Sequence, residues 1–187
     1  MQFFKVKTVE ETWALIDERI PAIGETEVRE LAEALHYIVA SPITAKENVP
    51  SFDRSTVDGY AVRAKDTYGS SESMPGFLQV VGEVKMGEVP AVEVIQGTAV
   101  YVPTGGMLPK GSDSVMMVEH CEDVDSLLNT YKQTAPGENV IRAGEDIREG
   151  EILLNRGTKL RPQELGALAS LGVTHVNVYK KLKVGYL

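Results

Sequence analysis

Cysteine is nearly absent from this chain, and long apolar runs are missing altogether. Cys121 is the only cysteine in 187 residues, so no internal disulfide can form and a reducing compartment is expected. No stretch is long and apolar enough to span a bilayer, and no basic segment followed by an apolar one opens the chain. A cytoplasmic protein without a membrane partner is the expectation. Positive charge is short as well: 19 Lys and Arg stand against 27 Asp and Glu, for a formal net charge of -8. Phosphate backbones are bound by surplus cations, so no nucleic-acid partner is expected, although a small anion needs only a local pocket of donors. His36, His120, His175 and Cys121 show no zinc spacing. Glu119, His120 and Cys121 adjoin in a strand-like run, where neighbours point to opposite faces, and read as structural. No Ser-His-Asp or Cys-His arrangement can be assembled.

What is present suits a folded core, with 43% hydrophobic and 25% charged residues. "KTVEETWALIDERI" predicts a helix. Thr8 and Glu11 have capping-box spacing, Val9, Trp13, Ile16 and Ile20 form an apolar stripe, and Pro21 and Gly24 close it. A second helix is expected over Leu31–Ala40, with Leu31, Leu35, Ile38 and Val39 inward and Pro42 ending it. From Val49 to Pro136 short β-rich runs such as "YAVRA", "FLQVVGEV", "TAVYVP", "SVMMVEH" and "SLLNTYKQT" alternate with turn signals. That texture predicts an all-β module, a sandwich or a barrel. "GEDIREGEILLNRGTKL" then predicts a hairpin, "RPQELGALASLG" a helix begun near Pro162 and stopped at Gly172, and "VTHVNVYK" an alternating strand.

The expected fold class is therefore α+β: a discontinuous α/β domain, residues 1–48 with 137–182, into which an all-β, barrel- or sandwich-like domain of residues 49–136 is inserted. The last residues, "KLKVGYL", read as the start of a strand cut short, so a fragment boundary is expected there.

Chemistry-bearing residues gather in three places. "VPSFDRSTVDGYAVRA" sets Asp53 and Asp58 among the hydroxyls of Ser51, Ser55 and Thr56. Two readings stay open: local turn capping, or a carboxylate cluster that holds Mg²⁺ or orients a reacting oxygen. In "YVPTGGMLPKGSD", Gly105 and Gly106 after Thr104 allow close backbone approach to an anion. It is no P-loop, since Lys110 precedes Gly111, and a plain hairpin loop is the simpler reading. "IRAGEDIREG" brings Arg142 near Glu145 and Asp146, either as a solvated turn or as a wall for a phosphate and a metal.

In their order, "PSFDRSTVDGYAV", "PTGGMLPKGSDSVMMVE" and "GEDI" resemble the molybdopterin molybdenumtransferase family, which includes bacterial MoeA and the E domain of gephyrin. The resemblance implies insertion of molybdenum from molybdate into adenylylated molybdopterin, with Mg²⁺ as cofactor and AMP released. It implies a homodimer served by an upstream adenylyltransferase and serving downstream molybdoenzymes. It also implies a third, molybdopterin-binding domain starting at residues 183–187, against which the Trp13 face of the first helix would pack. The site would lie between the β-rich domain of one subunit and the third domain of its partner. Asp58, Thr104 and Asp146 match family site positions and are the expected catalytic residues, Asp58 and Asp146 also as Mg²⁺ ligands. Ser55, Gly105, Gly106, Arg142 and Glu145 are the expected substrate-binding residues. One departure stands out: "NVIRAGED" has Ile141 where the family often carries arginine, and Arg142 falls one place later. That leaves a scaffold or dimerisation module, or a diverged ligand-binding paralogue, as the alternative function.

Overall fold

The computed structural model describes residues 6–20 and 24–182. Among these are two α-helices, α1 (Val9–Arg19) and α2 (Pro162–Ser170), and a larger number of short strands. In chain order the first are β1 (Thr26–Glu30), β2 (Ile43–Thr44), β3 (Arg54–Ser55), β4 (Gly59–Val62), β5 (Gly76–Glu83) and β6 (Thr98–Val102). They are followed by β7 (Ser114–Met117), β8 (Cys121–Val124), β9 (Leu127–Thr130), β10 (Val140–Ile141), β11 (Ile152–Leu154) and β12 (His175–Tyr179). The protein is mostly β. It divides into two compact units, Met1–Thr44 with Ile152–Leu187, and Ala45–Glu151. No described helix is long and apolar enough to cross a membrane. Residues 183–187, where the third domain was expected to begin, and Pro21 lie outside the described residues.

In the first unit β1 and β12 pair antiparallel, with Thr26 opposite Tyr179 and Glu30 opposite His175. Leu31, Ala34, Val39, Leu160, Leu168, Val176 and Val178 form its core. Helix α2 forms as its sequence directs. Pro162 opens it, the Arg161 N–H donates to the Glu164 carboxylate at 3.0 Å, and Gly172 at φ +71° lies just beyond its end. Its contribution to the core is Leu168, 1% exposed, whose burial stabilises the unit by about 1.5–3 kcal/mol. Helix α1 has the expected capping box: Thr8 Oγ1 accepts the Glu11 N–H at 3.2 Å, and Glu11 Oε2 accepts the Thr8 N–H at 3.0 Å. Its apolar stripe nevertheless stays open, with Trp13 61% exposed and no residue of the helix buried.

The helix expected over Leu31–Ala40 does not form. Only a 3-10 turn, Leu31–Glu33, is present, and His36 takes φ +67°. The backbone beyond it bonds outward. The Leu160 N–H donates to the Tyr37 carbonyl, the His36 N–H to that of Leu160, and the Tyr179 N–H to that of Ile38, each at 2.8 Å. These long-range bonds replace the i→i−4 ladder, and Leu35, expected inward, is exposed. The hairpin expected within residues 144–160 is also absent, because β11 pairs with β2.

In the second unit a six-stranded sheet, curled as half a barrel, runs in the order β7-β4-β6-β5-β9-β8. All its neighbours are antiparallel except β5 and β6. Strand β4 lies inside the sheet and is buried on both faces. Ala61 joins Val100, Val102 and Val115 on one side, while Val62 joins Leu78, Met116 and Leu128 on the other. A fixed interior strand has a fixed N-terminal end, and Asp58 directly precedes it. Strand β10 pairs with β3 inside this unit, so the chain beyond residue 136 bonds here up to Glu151 rather than with the flanking helices.

Candidate active site

The opening strand-to-turn segment, Asn48 to Gly59, holds the other two motif loops by its backbone. The Ser55 N–H donates to the Gly106 carbonyl at 3.0 Å, the Gly105 N–H to the Ser55 carbonyl at 2.8 Å and the Leu108 N–H to the Asp53 carbonyl at 2.9 Å. On the other side, the Gly144 N–H reaches the Pro50 carbonyl at 2.9 Å, and the Asp146 N–H the Val49 carbonyl at 3.0 Å. The three motifs, far apart in sequence, are thus tied together within Ala45–Glu151.

Asp58 is exposed, and its Oδ1 accepts the Thr104 N–H at 2.9 Å. This bond brings two of the expected catalytic residues together. Asp58 Oδ2 and the Thr104 hydroxyl have no hydrogen-bond partner among the described residues and face solvent. Asp146 is exposed too, fixed by its backbone while its carboxylate makes no hydrogen bond among the described residues.

The glycine loop differs from the expectation. Gly105, at φ +81°, has its N–H committed to Ser55, and the Gly106 N–H donates to the Pro103 carbonyl at 2.8 Å. With the Thr104 N–H on Asp58, none of these three donors is left to cradle an anion. The N–H groups of Thr104, Gly105 and Gly106 are spent within the protein, and the Thr104 hydroxyl is the side-chain group they leave without a partner among the described residues. Ser55 is likewise structural: it is buried, and its hydroxyl donates to the Val57 carbonyl at 2.6 Å. Glu145 closes the turn by accepting the Arg142 N–H at 2.9 Å.

Arg142 and Asp53 form a bracket. Arg142 Nη1 donates to Asp53 Oδ2 at 2.6 Å, Nη2 to the Asp113 carbonyl at 3.3 Å, and the Ala143 N–H to Asp53 Oδ1 at 2.8 Å. Burial raises the Asp53 carboxyl, but the Ala143 N–H and the Arg142 guanidinium outweigh it and hold the group below its ordinary range. Such a carboxylate stabilises the fold above its unfolded pKa of about 3.9 and loses that contribution as pH falls through the depressed folded value. Asp53→Ala is expected to cost about 2 kcal/mol at neutral pH, less than two buried charged bonds because the pair is partly solvated. Denaturant midpoints measured from pH 7 downward should show that gap closing in acid; a gap independent of pH would remove the bracket.

Sequence reasoning missed three supports. Asn48 Oδ1 accepts the Glu149 N–H at 2.9 Å, Asn139 at φ +60° donates from Nδ2 to the Val115 carbonyl at 2.9 Å, and Asp113 Oδ1 accepts the Ala64 N–H at 2.7 Å. Only Asn139, in the turn-like "PGEN", carried a local signal. Glu119 and His120 lie in a 3-10 turn, Val118–His120, rather than on a strand. Burial pushes the Cys121 thiol up to about 12, which leaves it protonated and unreactive at neutral pH. No group of three or more His, Cys, Asp or Glu side chains among the described residues is arranged to enclose a metal ion.

A family model described as "MoeA N-terminal region (domain I and II)" matches residues 7–172. The chain belongs to this family. A molybdopterin molybdenumtransferase of Haemophilus influenzae is 37% identical over 181 residues, 96% of the chain and 44% of that protein. One of Bacillus subtilis is 37% identical over 168 residues, 88% of the chain and 39% of the relative. Crystal structures of a molybdopterin biosynthesis MoeA protein from Pyrococcus horikoshii superpose with TM-scores of 0.87 and 0.80 at 37% and 38% identity. They cover 95% and 94% of this chain, which spans 45% and 46% of theirs. The chain therefore spans less than half the length of the MoeA relatives it matches. At the departure noted in the sequence, Ile141 is part of β10, and its cross-strand partner is Arg54. Arg142, one place later, spends its guanidinium on Asp53 and the Asp113 carbonyl. Arg54, adjacent across the ladder, makes no ion pair among the described residues and is the cation left available there.

Proposed function

We propose that this chain forms one wall of the active site of a molybdopterin molybdenumtransferase, which inserts molybdenum from molybdate into adenylylated molybdopterin and releases AMP. The observation that carries the reading is the Asp58–Thr104 pair, an exposed carboxylate fixed by a backbone N–H at 2.9 Å beside a free hydroxyl. Such a pair holds a reacting oxygen by hydrogen bonding and local charge. Arg54 offsets phosphate charge, and Asp146 supplies a second free carboxylate at the loop tied to Val49. Mg²⁺ fits this donor chemistry in one form, as an ion that keeps most of its waters and takes one or two carboxylates together with substrate oxygens. Its chemistry when bound is to offset charge on the adenylylated phosphate. The working form is a homodimer whose partner subunit closes the site. An adenylyltransferase supplies the substrate upstream, and molybdoenzymes receive the product downstream.

The second reading is a scaffold or dimerisation module, favoured by the open apolar stripe of α1. Molybdate-dependent AMP release by the full product of the gene separates the two. The transferase reading expects release that stops when molybdate is omitted. A folded product that binds adenylylated molybdopterin yet releases no AMP leaves the scaffold.

A further inference from the structure

The unit Met1–Thr44 with Ile152–Leu187 carries a groove of about 420 Å³ at the end of β12, and its walls are basic. Arg156, Lys180 and Lys181 line it together with Tyr37, Tyr179 and His36. In a chain with a net charge of -8, cations have carboxylates to choose from. Arg29 takes Glu27 at 2.7 Å, Arg142 takes Asp53 at 2.6 Å, and Lys180 takes Glu25 at 3.0 Å. Arg156 and Lys181 do otherwise. Arg156 Nε donates to the Tyr179 hydroxyl at 2.5 Å, with the guanidinium carbon 5.6 Å from that ring's centroid. Lys181 Nζ lies 4.3 Å from the centroid of Tyr37. Neither has a carboxylate partner among the described residues.

The distinction matters electrostatically. A carboxylate orients a cation and cancels its charge, whereas an aromatic ring orients it and leaves the charge in place. Two cations that line the groove therefore rest on tyrosine rings without a carboxylate partner among the described residues. Fixed charge of one sign in a groove concentrates counter-ions there.

We propose that this groove binds a small phosphate-bearing anion, taken by Arg156 and Lys181. A phosphate has terminal oxygens enough for a guanidinium fork and an ammonium at once, and up to two negative charges to offset both. The volume lies within the range of small-ligand sites, about 300–1,000 Å³. Ile38 and Leu182 give the groove an apolar part for the body of an organic phosphate. None of these residues belongs to the Asp58–Thr104 site, so this proposal stands or falls independently of the transferase reading.

The test is calorimetric titration of the 187-residue chain at low ionic strength with inorganic phosphate and with phenyl phosphate. The partners are the Arg156→Gln/Lys181→Gln double variant and a Lys65→Gln control. Both groove cations are exposed, so the double variant should keep its fold, which a melting curve checks. Saturable 1:1 binding by the wild type and the control, at least tenfold weaker in the double variant, is expected. Tighter binding of phenyl phosphate identifies an organic phosphate, and equal binding a free oxyanion; either supports the site. No saturable binding by the wild type, or equal affinity in the double variant, overturns it.

Discussion

Asp58→Asn is expected to lower molybdate-dependent AMP release by on the order of 10²–10⁴-fold while leaving thermal stability essentially unchanged. Asparagine keeps an oxygen where Asp58 Oδ1 accepts the Thr104 N–H, so the loop retains its support. What disappears is the charge on an exposed carboxylate. Asp58→Ala removes both the charge and the acceptor, leaving the Thr104 N–H to water. Comparing the two variants separates two roles for one residue. If Asp58 only supports the loop, Asn restores activity and Ala lowers it. If Asp58 acts on the substrate, both variants fall together, and the Asn variant does so in a protein that melts like the wild type. Rescue by Asn would withdraw Asp58 from the chemistry and leave the Thr104 hydroxyl and Asp146 as the remaining candidates.

One residue further on, Gly59→Ala is expected to destabilise the Ala45–Glu151 unit by at least about 3 kcal/mol, a large share of the roughly 5–15 kcal/mol that holds a typical domain folded. An alanine Cβ there would lie 2.2 Å from the Met116 carbonyl oxygen and 2.8 Å from Val115 Cγ1. The first contact is with backbone, so no side-chain rotation relieves it. Nor can β4 slide away, because Gly59 is flanked by Val102 on β6 and Met117 on β7. Overpacking of this kind costs about 1–3 kcal/mol where side chains can yield, and more where backbone must move. Soluble yield and denaturant midpoint report the effect. An alanine variant with the wild-type midpoint would show that β4 and β7 separate readily. The glycine in "DGYA" is thus explained by strand packing, and the aspartate before it by exposure at the strand's fixed end.

Local chemistry made parts of this architecture legible. The capping box of Thr8 and Glu11 and the Pro162-to-Gly172 span are encoded within a few residues, and both appear as read. The β-rich texture after Val49 also survives, since "YAVRA", "TAVYVP" and "SVMMVEH" supply β4, β6 and β7. Leu31–Ala40 misled because its apolar spacing suits a helix, while its backbone groups find partners near Leu160 and Tyr179. Periodicity reports which side chains are apolar and is silent on where a backbone carbonyl bonds.

The candidate site was legible as a set of residues and illegible as an arrangement. Aspartates, hydroxyls and glycines at Asp53, Ser55, Asp58, Thr104, Gly105, Gly106, Arg142, Glu145 and Asp146 mark the loops by type alone. The sequence by itself determined the family, the excess of acid and the two helices α1 and α2 whose spacing is backed by capping signals, because residue type and local chemistry suffice for these. Only the tertiary structure decided that Ser55, Gly105, Gly106, Arg142 and Glu145 bond within the loops, while Asp58 Oδ2, the Thr104 hydroxyl and the Asp146 carboxylate make no hydrogen bond among the described residues. The reason is hydrogen-bond saturation. A donor serves a ligand only if the fold leaves it unpaired, and at the deciding positions the partner lies tens of positions away, as Ser55 does from Gly105 and Asp53 from Arg142.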